Sequence, residues 1–541
     1  MNRFFFLLMC LGIAFSALGQ QPASQATLKD AEFVIEKERK HQLPEASRLF
    51  ESAPIAPHMP DPIQPLPATL PIIWPTFDLL PRKTKILRAK QDVVAKRYDN
   101  YLQGGHGNFY TPYLAGFFTN KPHPRYAYGL YFKHLSAGQA RYGEESHNLI
   151  QLHGQLFMKP LWLEGEMGYN RDSYPLYNAG DSTPATRQQQ ILHQFAVRKY
   201  LANYIQGPLN YQLDGSWHYL ADAYQARENQ WGLQGSGDYA LNDIWTLKAI
   251  TDLHFTKHRD STTVYRNLCR CKPILSFVAQ RFDVQGGLNV VYQNDASDVV
   301  NALNVYPVVE VKYPLYKWLR PYAGVGGDIQ RNSLQRLLQE NPRLAANPAL
   351  RNTNQRLLFY GGARGDVVEQ LSFHTGLEVG SYQNLHCLVN NTDDPGRFDV
   401  HYDPAATLCN IFGALTYTNQ PETLTTRLRG DYFYYDLKEL PKPWHRPRYQ
   451  LDLLSTYRLH DKVVFKGSMY WMGGIEALDV AKGIPVALAD VLDVGLGIDY
   501  LWSQRFSIFL NFQNLLAKPN ERYLHSPARG LHCLAGLTYA W

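Results

Sequence analysis

The residues best suited to chemistry in this sequence are charged side chains that recur at every second position of short segments. In Leu161 to Asn170, for example, Glu164 and Glu166 alternate with Leu163 and Met167. Such alternation gives a β-strand one apolar face and one charged face. The side chains predicted to line a polar interior in this way are Glu164, Glu166, Asp214, Lys248, Asp252, Arg427, Arg429, Asp431 and Asp493. Because both signs are present, the set predicts a lumen with no clear preference for anions or cations.

Motifs for enzymatic chemistry are missing from the sequence. We find no His-Glu-x-x-His, no Gly-x-Ser-x-Gly and no Walker loop. Cys269 and Cys271 share a strand face, but no further zinc ligands follow at a recognisable spacing. His153, His218 and His254 fall on polar faces, where we interpret them as solvated structural residues. We therefore expect no enzyme activity, no cofactor and no metal site.

The cysteines indicate an exported protein without a disulfide framework. Five cysteines follow the first twenty residues, and an odd number does not fit a fold organised by disulfides. Cys387 and Cys409 lie in one predicted outer segment, where an oxidising location permits a bond. Two alternatives remain for this pair: a disulfide, or two buried thiols.

The elements that carry the charged residues are strands. Val491 to Trp502 places Leu, Val, Ile, Tyr and Trp side chains on one face and Asp or Gly on the other, and Phe506 to Gln513 repeats the pattern. These two segments predict a hairpin with a short turn. Aromatic residues tend to lie at the ends of the apolar faces, where the interfacial girdles of a membrane barrel belong. A soluble β-sandwich also alternates, but about twenty strands exceed what one open sheet usually holds.

Composition excludes other classes. The chain has 541 residues, of which 19% are charged, 45% apolar and 13% aromatic, and its mean hydropathy is −0.34. Past residue 20 no run of about 18 apolar residues appears, which argues against helical membrane spans. The formal charge of +6 is spread along the chain without a basic block. Nucleic acid is therefore not an expected partner.

The chain divides into three parts by composition. Residues 1–19 combine Arg3, an apolar stretch and small residues, as a secretory signal peptide does. Residues 20–97 contain a predicted short helix at about 28–41 and then ten prolines from Pro44 to Pro81, which predict an extended tether in the periplasm or the lumen. Residues 98–541 carry the strand pattern.

The connections between the predicted strands alternate in length. Alternation of apolar and polar residues alone gives about 21 strands. Single-chain bacterial barrels have an even number of strands, and a tether that begins in the periplasm requires one strand more than this count. We therefore predict 22 strands, within a range of 20–22. Short turns are expected on the periplasmic side and long loops outside. The loop from Arg331 to Asn354 contains Ser333 to Glu340, which predicts one or two short helices capping the outer mouth. The fold class is thus an all-β transmembrane antiparallel barrel.

The end of the chain is the most specific region. Leu537, Tyr539 and Trp541 share one face of the last segment, and the chain stops at an aromatic residue. Bacterial outer-membrane barrels commonly end in this way, and this similarity implies that the three residues are the signal read by the barrel-assembly machinery. The stretch from Phe506 to Trp541, with the strand count, resembles the C-terminal β-barrel of TonB-dependent receptors. These receptors have an N-terminal plug of well over a hundred residues, so the resemblance is to a plug-less Bacteroidota-type relative.

Two functions follow as hypotheses for a protein of the cell outer membrane. The first is a pore or transporter-like barrel for solute passage, without a full TonB plug. The second is a non-transporting structural or assembly partner in an outer-membrane complex, with the tether or loops as binding surfaces. The expected partners are outer-membrane lipid, the barrel-assembly machinery and, under the second hypothesis, other outer-membrane proteins.

Overall fold

The structure, a computed structural model, describes residues 99–541 with short gaps at 122, 140–142, 159–160, 178–183, 204–206, 280–281, 296–299, 317, 421 and 461. The predicted signal peptide (1–19) and tether (20–97) lie outside the described residues. The strand pattern that was predicted from residue 98 begins as a strand at Tyr101.

The main element is one 22-stranded antiparallel sheet that closes on itself. Its strands are β1 (Tyr101–Gly107), β2 (Thr111–Thr119), β3 (Tyr126–Gln139), β4 (Gly143–Met158), β5 (Leu161–Tyr177), β6 (Pro184–Asn203), β7 (Leu209–Ala221), β8 (Arg227–Ala240), β9 (Trp245–Arg259), β10 (Thr263–Val278), β11 (Asp283–Gln293), β12 (Leu303–Lys312), β13 (Arg320–Gln330), β14 (Thr353–Val368), β15 (Leu371–Gln383), β18 (Ala406–Thr418), β19 (Leu424–Leu437), β20 (Tyr449–Leu459), β21 (Val463–Gly473), β24 (Val491–Leu501), β25 (Phe506–Gln513) and β28 (His532–Ala540).

The remaining elements lie in connections between barrel strands. They are a helix, α1 (Leu334–Glu340), and three small hairpins, β16 (Leu385–Asn390) with β17 (Phe398–Asp403), β22 (Glu476–Asp479) with β23 (Ile484–Ala487), and β26 (Glu521–Tyr523) with β27 (Ser526–Pro527). Ser333 caps α1, because its hydroxyl accepts a 3.2 Å hydrogen bond from the amide of Arg336. The helix expected in this loop is confirmed.

Barrel closure joins the first and last strands. β1 pairs with β28 over seven residues, from Tyr101 opposite Ala540 to Gly107 opposite Leu534. Closure removes the free edges that an open sheet would expose to lipid. The prediction of 22 strands is confirmed, as is the hairpin of β24 and β25, in which Leu496 lies opposite Phe512.

The outer surface of the barrel is an apolar belt. Large apolar side chains at every second position are exposed on it, such as Ile150 and Leu152 on β4 or Leu209 and Leu213 on β7. A closed antiparallel barrel with such a belt spans the outer membrane, where lipid contacts the belt. No helix among the described residues is long and apolar enough to cross a membrane.

The two ends of the barrel differ in their connections. All the long connections, such as 331–352 and 384–405, lie at one end, whereas those at the other end are short, such as 369–370 and 502–505. Long loops face the outside and short turns the periplasm. Both β1 and β28 then have their chain ends on the periplasmic side, where Asn100 and Trp541 exchange backbone hydrogen bonds of 3.1 and 3.4 Å.

Candidate functional site

The outer mouth of the barrel is covered by folded loops. We call this layer the outer cap and define it as residues 331–352, 384–405, 438–448, 474–490 and 514–531. All five segments start from the half of the barrel between β13 and β28. Two of them, 331–352 and 384–405, reach across the mouth to the opposite inner wall, where they contact Pro175, Tyr224 and Glu228.

A hydrophobic core holds the outer cap together and against the wall. The cluster contains Leu334, Leu337 and Leu338 of α1, Leu388, Phe398 and Val400 of the β16–β17 hairpin, Tyr523, and the wall residues Leu192 and Leu220. Each of these side chains is at least nine-tenths buried. Burying one large apolar side chain contributes about 1.5–3 kcal/mol, so the cap is a packed layer and not a set of independent loops.

Specific polar contacts fasten the outer cap to the opposite wall. The buried carboxylate of Glu228 on β8 accepts hydrogen bonds from the amides of Leu334 and Gln335, at 2.9 and 3.2 Å. Arg343 donates to the Pro175 carbonyl on β5 at 3.1 Å. These contacts satisfy amides in the first turn of α1 that have no partner within the helix.

Two more arginines extend this fastening. Arg397 of the β16–β17 connection donates to the Tyr224 hydroxyl at 2.8 Å. On β10, Arg266 donates to the Asn332 carbonyl at 2.6 Å and pairs with Asp295 at 2.7 Å. Both guanidinium groups are buried, so each contact is charge-assisted in a dry environment.

Charged groups inside the outer cap are also paired. His386 Nε2 lies 2.8 Å from a carboxylate oxygen of Glu340, and Arg446 donates to the His386 carbonyl. Burial by itself would raise the pKa of Glu340, but His386, Arg446 and Arg522 outweigh it and lower that pKa to about 2. Burial, together with Arg446 and Arg336, lowers the pKa of His386. His386 Nε2–H donates to the Glu340 carboxylate in this pair.

His445 connects three segments of the outer cap. Its Nδ1 bonds the Leu388 carbonyl at 2.8 Å, and its Nε2 accepts from the Leu524 amide at 3.3 Å. The ring also packs edge-on against Phe398, with centroids 5.3 Å apart. Burial lowers the pKa of His445 to about 4, so the ring is neutral and both nitrogens are satisfied at neutral pH.

The lumen wall below the outer cap is charged. Glu164 and Glu166 lie on β5, and Asp214 on β7 forms an ion pair with Arg198 of the neighbouring strand β6. Arg198 faces the interior, and its side chain is 60% exposed there. The structure therefore places Glu166, Arg198 and Asp214 on adjacent strands, with Glu166 opposite Arg198 in register.

A second charged group lies on β9 and β10. Asp252 lies 2.8 Å from His254 Nε2 and also pairs with Arg270. Arg270 in turn contacts Asp328 at 2.8 Å, and Lys272 contacts the same carboxylate at 3.0 Å. Lys248, which was also predicted to line the lumen, lies on the same face of β9 as Asp252 and opposite Asp238 on β8.

The remaining predicted lumen residues lie on β19 and β24. Arg429 bonds Asp431 at 2.7 Å, and its guanidinium lies 5.3 Å from the Phe412 ring centroid. Arg427 has the same strand parity and is exposed. Asp493 accepts a 2.9 Å hydrogen bond from the Asn514 amide, which ties the lumen wall to the outer cap.

Cys387 and Cys409, for which a disulfide or two buried thiols were the alternatives, lie on different sides of the barrel wall. Cys387 is buried in the outer cap, where it packs with Val389 and Trp444. Cys409 lies on the same face of β18 as the exposed residue Ile411, and it lies opposite the exposed residue Tyr434 of β19. Cys409 therefore faces lipid. The structure has both as free thiols, because the barrel wall separates them. Among the described residues no group of three metal-binding side chains occurs.

The predicted assembly signal forms the outer face of β28 at its periplasmic end. Leu537 is exposed to lipid, and Tyr539 stacks on Trp541 with centroids 5.4 Å apart. The ring of Tyr539 also packs against Phe506 of β25, with centroids 4.8 Å apart. The ring of Trp541 packs against Phe118 of β2, with centroids 5.7 Å apart. The aromatic end of the chain thus contacts both sides of the closing seam.

Sequence reasoning did not find the residues that fasten the outer cap. Glu228, Arg343 and Arg397 act on partners far away in sequence, and no local motif marks them. Only its position could have indicated Glu228: it is a charged residue at the second position of β8, a strand in which apolar and polar side chains otherwise alternate.

Comparison with known proteins agrees with this architecture. No family model matches the chain, and no curated protein sequence is significantly similar. Among solved structures, the FrpB iron transporter from Neisseria meningitidis superimposes with a TM-score of 0.64 at 9% identity, covering 83% of this chain and 82% of that one. The ferric-catecholate import receptor Fiu from E. coli gives a TM-score of 0.62 at 10% identity, with 83% and 82% covered.

A third solved structure is similar to the same extent. The siderophore receptor PirA from Acinetobacter baumannii gives a TM-score of 0.61 at 10% identity, with 82% of this chain and 80% of that chain covered. At these identities the comparison shows the fold alone. The described part of the chain is therefore an outer-membrane β-barrel that resembles the barrels of TonB-dependent siderophore receptors.

Proposed function

We propose that this barrel passes a polar solute across the outer membrane and that the outer cap controls entry. The observation that carries the proposal is the contrast between an inner wall with exposed charged groups, such as Arg198, and a buried, packed cap at one end of it. A barrel with only a structural role does not need paired charges along its interior. A passage for polar solutes does, because fixed polar groups replace part of the hydration of the solute.

The distribution of charge suggests what kind of solute is selected. Carboxylates and cationic groups alternate around the wall, as in Asp214 with Arg198 or Asp252 with Arg270. Paired charges create local dipoles but no extended field of one sign. Selection by size and hydrogen bonding is therefore favoured over selection by net charge. The similar solved proteins are described as iron or siderophore receptors, which agrees with import of a bulky polar solute.

Planar-bilayer recordings test the proposal. The wild-type barrel should show low conductance, because the outer cap closes the mouth. A variant in which residues 385–403 are replaced by a short Gly-Ser linker loses Leu388, Phe398 and Val400 from the core and should open a large stable conductance. The matched control deletes only 481–484, an exposed tip in another outer loop. Equal conductance in the two deletions would contradict a gating role for the cap core.

The alternative function is a non-transporting partner in an outer-membrane assembly. The closed outer mouth supports this alternative, because a cap that never opens would make the barrel a scaffold. Uptake by intact cells separates the two: a scaffold shows no solute uptake in wild type. Deleting residues 20–90 tests the predicted tether in the same recordings. A rise in conductance would support a luminal position of the tether, and no change would favour the assembly role.

A further inference from the structure

The outward face of β3 to β6 changes character sharply near its outer end. One row across the four strands is apolar, with Phe132, Ile150, Tyr169 and Phe195 in register. The next row toward the outside is His134, Asn148, Arg171 and His193. The row after that contains Ser136, Ser146, Ser173 and Ile191. Within two rows the surface passes from apolar side chains to a row with Arg171, which we call the basic row, and then to a row with three serines.

Strand parity shows that these rows face away from the lumen. Ile150 and Tyr169 are exposed large apolar residues of the belt. The alternate positions, such as His147, Asp172 and Leu192, are buried behind the wall. Side chains of successive residues in a strand point to opposite faces, so the basic and serine rows belong to the outer surface of the barrel.

The position of these rows fixes what they contact. Successive rows are two residues apart, which in a tilted strand is about 5 Å along the membrane normal. The row containing Tyr169 is the last apolar row, as expected at the aromatic boundary of the hydrocarbon layer. The basic row lies directly above it, at the depth of the outer-leaflet headgroups.

The basic character continues around this side of the barrel. On β8, β9 and β10 the outward residues above the aromatic row of Trp217, Trp231 and Phe255 include Lys257, and Arg227 and Arg259 lie one row further out. On the opposite side, the outward groups at the outer end include the carboxylates of Asp436 and Asp490. Arg171, Lys257, Arg227 and Arg259 thus all belong to the outward face on the β3 to β10 side.

A cavity of about 720 Å³ opens above the basic row. Its lining includes Tyr110, Ser136, Glu144, Ser146, Arg171 and Gln189. Arg171 Nη1 lies 3.5 Å from the Ser146 hydroxyl, and the Ser173 hydroxyl donates to Gln189 at 2.8 Å. Among the described residues Arg171 lines this cavity without a carboxylate partner within 4 Å.

Tyr110 is presented to the cavity by a strained turn. It is 83% exposed, and both it and Phe109 have positive φ, at 50° and 58°. Tight hairpin turns with positive φ favour Asn and Gly, because bulky side chains are strained there. Two aromatic residues in such a turn place a ring beside the cavity at a cost in backbone energy, and such strain concentrates at functional sites.

We propose that this outward cavity binds the phosphorylated sugar headgroup of an outer-leaflet glycolipid. Arg171 holds a phosphate through charge-assisted hydrogen bonds, with Asn148 and His193 as its neighbours on the adjacent strands. Ser146, Gln189 and Glu144 supply partners for sugar hydroxyls, and the Tyr110 ring lies against a sugar face. A zwitterionic phospholipid offers the phosphate without the hydroxyl groups, so it leaves the serine row without ligands.

Binding of purified, detergent-solubilised full-length protein to vesicles tests the proposal. The probes are phosphatidylethanolamine vesicles with and without lipid A, which carries a phosphorylated disaccharide. Arg171→Glu should weaken binding to lipid A vesicles by about tenfold or more, as expected for loss of a charged hydrogen-bond donor. Arg171→Lys should retain most of the binding. Heat-modifiable migration verifies that each variant is a folded barrel.

The matched control is Lys121→Glu, an exposed residue in the periplasmic connection between β2 and β3. This variant should bind lipid A vesicles as wild type does. Binding unchanged by Arg171→Glu, or weakened equally by Lys121→Glu, would overturn the site. Wild-type binding to vesicles without lipid A at the same strength would show general lipid contact. Displacement by millimolar inorganic phosphate would show a simple anion site, and both results would overturn the glycolipid proposal.

Discussion

The two ends of the lumen differ in how water reaches the same inner wall. Along β6, Gln190 and Leu192 near the outer end are almost completely buried, whereas Arg198, on the same face, is 60% exposed. Nothing in the alternation of the strand distinguishes these positions. The difference comes from the layer at the outer end: the outer cap packs on Leu192, and the Ala223 amide donates to Gln190, whereas Arg198 lies below this layer.

The contrast shows that one barrel wall can have two functions. At the outer end the wall is a docking surface, on which Glu228 and Leu220 hold loops from the opposite half of the barrel. Further in, it is a polar surface with paired charges. Under the proposed function, packing at the outer end sets the barrier to solute entry, and the polar groups below it select the solute. The periplasmic end has short turns and the chain ends of β1 and β28.

Truncating the periplasmic end should have the largest effect. Removing Tyr539 to Trp541 deletes ring contacts with Phe506 and Phe118 on both sides of the closing seam. We expect loss of membrane insertion and degradation in the periplasm, because the seam and the predicted assembly signal are lost together. Cell fractionation and heat-modifiable migration measure the outcome. Removing 481–484 at the outer end is the control and should leave insertion normal.

Disrupting the outer cap should change entry without changing assembly. Phe398→Ala removes a fully buried ring from the cap core and should destabilise the cap by about 3–5 kcal/mol. Single-channel recordings should then show openings that the wild type lacks, with normal insertion. Thr392→Ala, at an exposed position in the same connection, should behave as wild type. An unchanged closed state in Phe398→Ala would show that the cap core does not control the mouth.

Sequence reasoning predicted the barrel but not the outer cap. Strand alternation is local: each predicted strand can be recognised from about ten residues, and lipid on one side enforces it. The helix α1 was also predicted, since Ser333 and the leucine pattern are local signals. The contacts of Glu228 with α1 join residues more than a hundred positions apart, and neither partner carries a motif. Whether Cys387 and Cys409 can form a disulfide likewise depends on which side of the barrel wall Cys409 faces, and the local sequence does not determine this.

Weakening one polar contact should have a smaller effect than removing a ring. Glu228→Gln keeps the shape of the side chain but replaces a buried carboxylate that accepts from two amides of α1. We expect about 1.5–3 kcal/mol less stability for this helix, the range for hydrogen bonds to charged groups. Amide hydrogen exchange should be faster in α1 and unchanged in β14 and β15. Equal acceleration in those strands would indicate a global loss of stability instead.

The smallest expected effect is a dependence of the outer cap on pH. The pKa of His445 is about 4 in the folded cap and near its usual 6.5 when the cap is open. The open form therefore binds the proton more tightly, and the cap loses stability as pH falls from about 6.5 to about 4. At pH 5 the loss from this residue is about 2 kcal/mol. Glu340 adds a further loss only below its usual value of about 4.5.

Hydrogen exchange of cap amides at pH 7.5 and pH 5, corrected for intrinsic rates, measures this dependence. His445→Asn is the suitable variant, because position 445 has a φ of 56° and Asn accepts that conformation better than most residues. This variant lowers the stability of the outer cap at both pH values. It should also reduce the difference in cap stability between pH 7.5 and pH 5. The difference that remains is the contribution of His386, whose own pKa is lowered. Barrel strands such as β24 should show no change in either protein. If the variant keeps the full pH difference, protonation of His445 is not its cause, and the outer cap responds to acid through His386 and Glu340 alone.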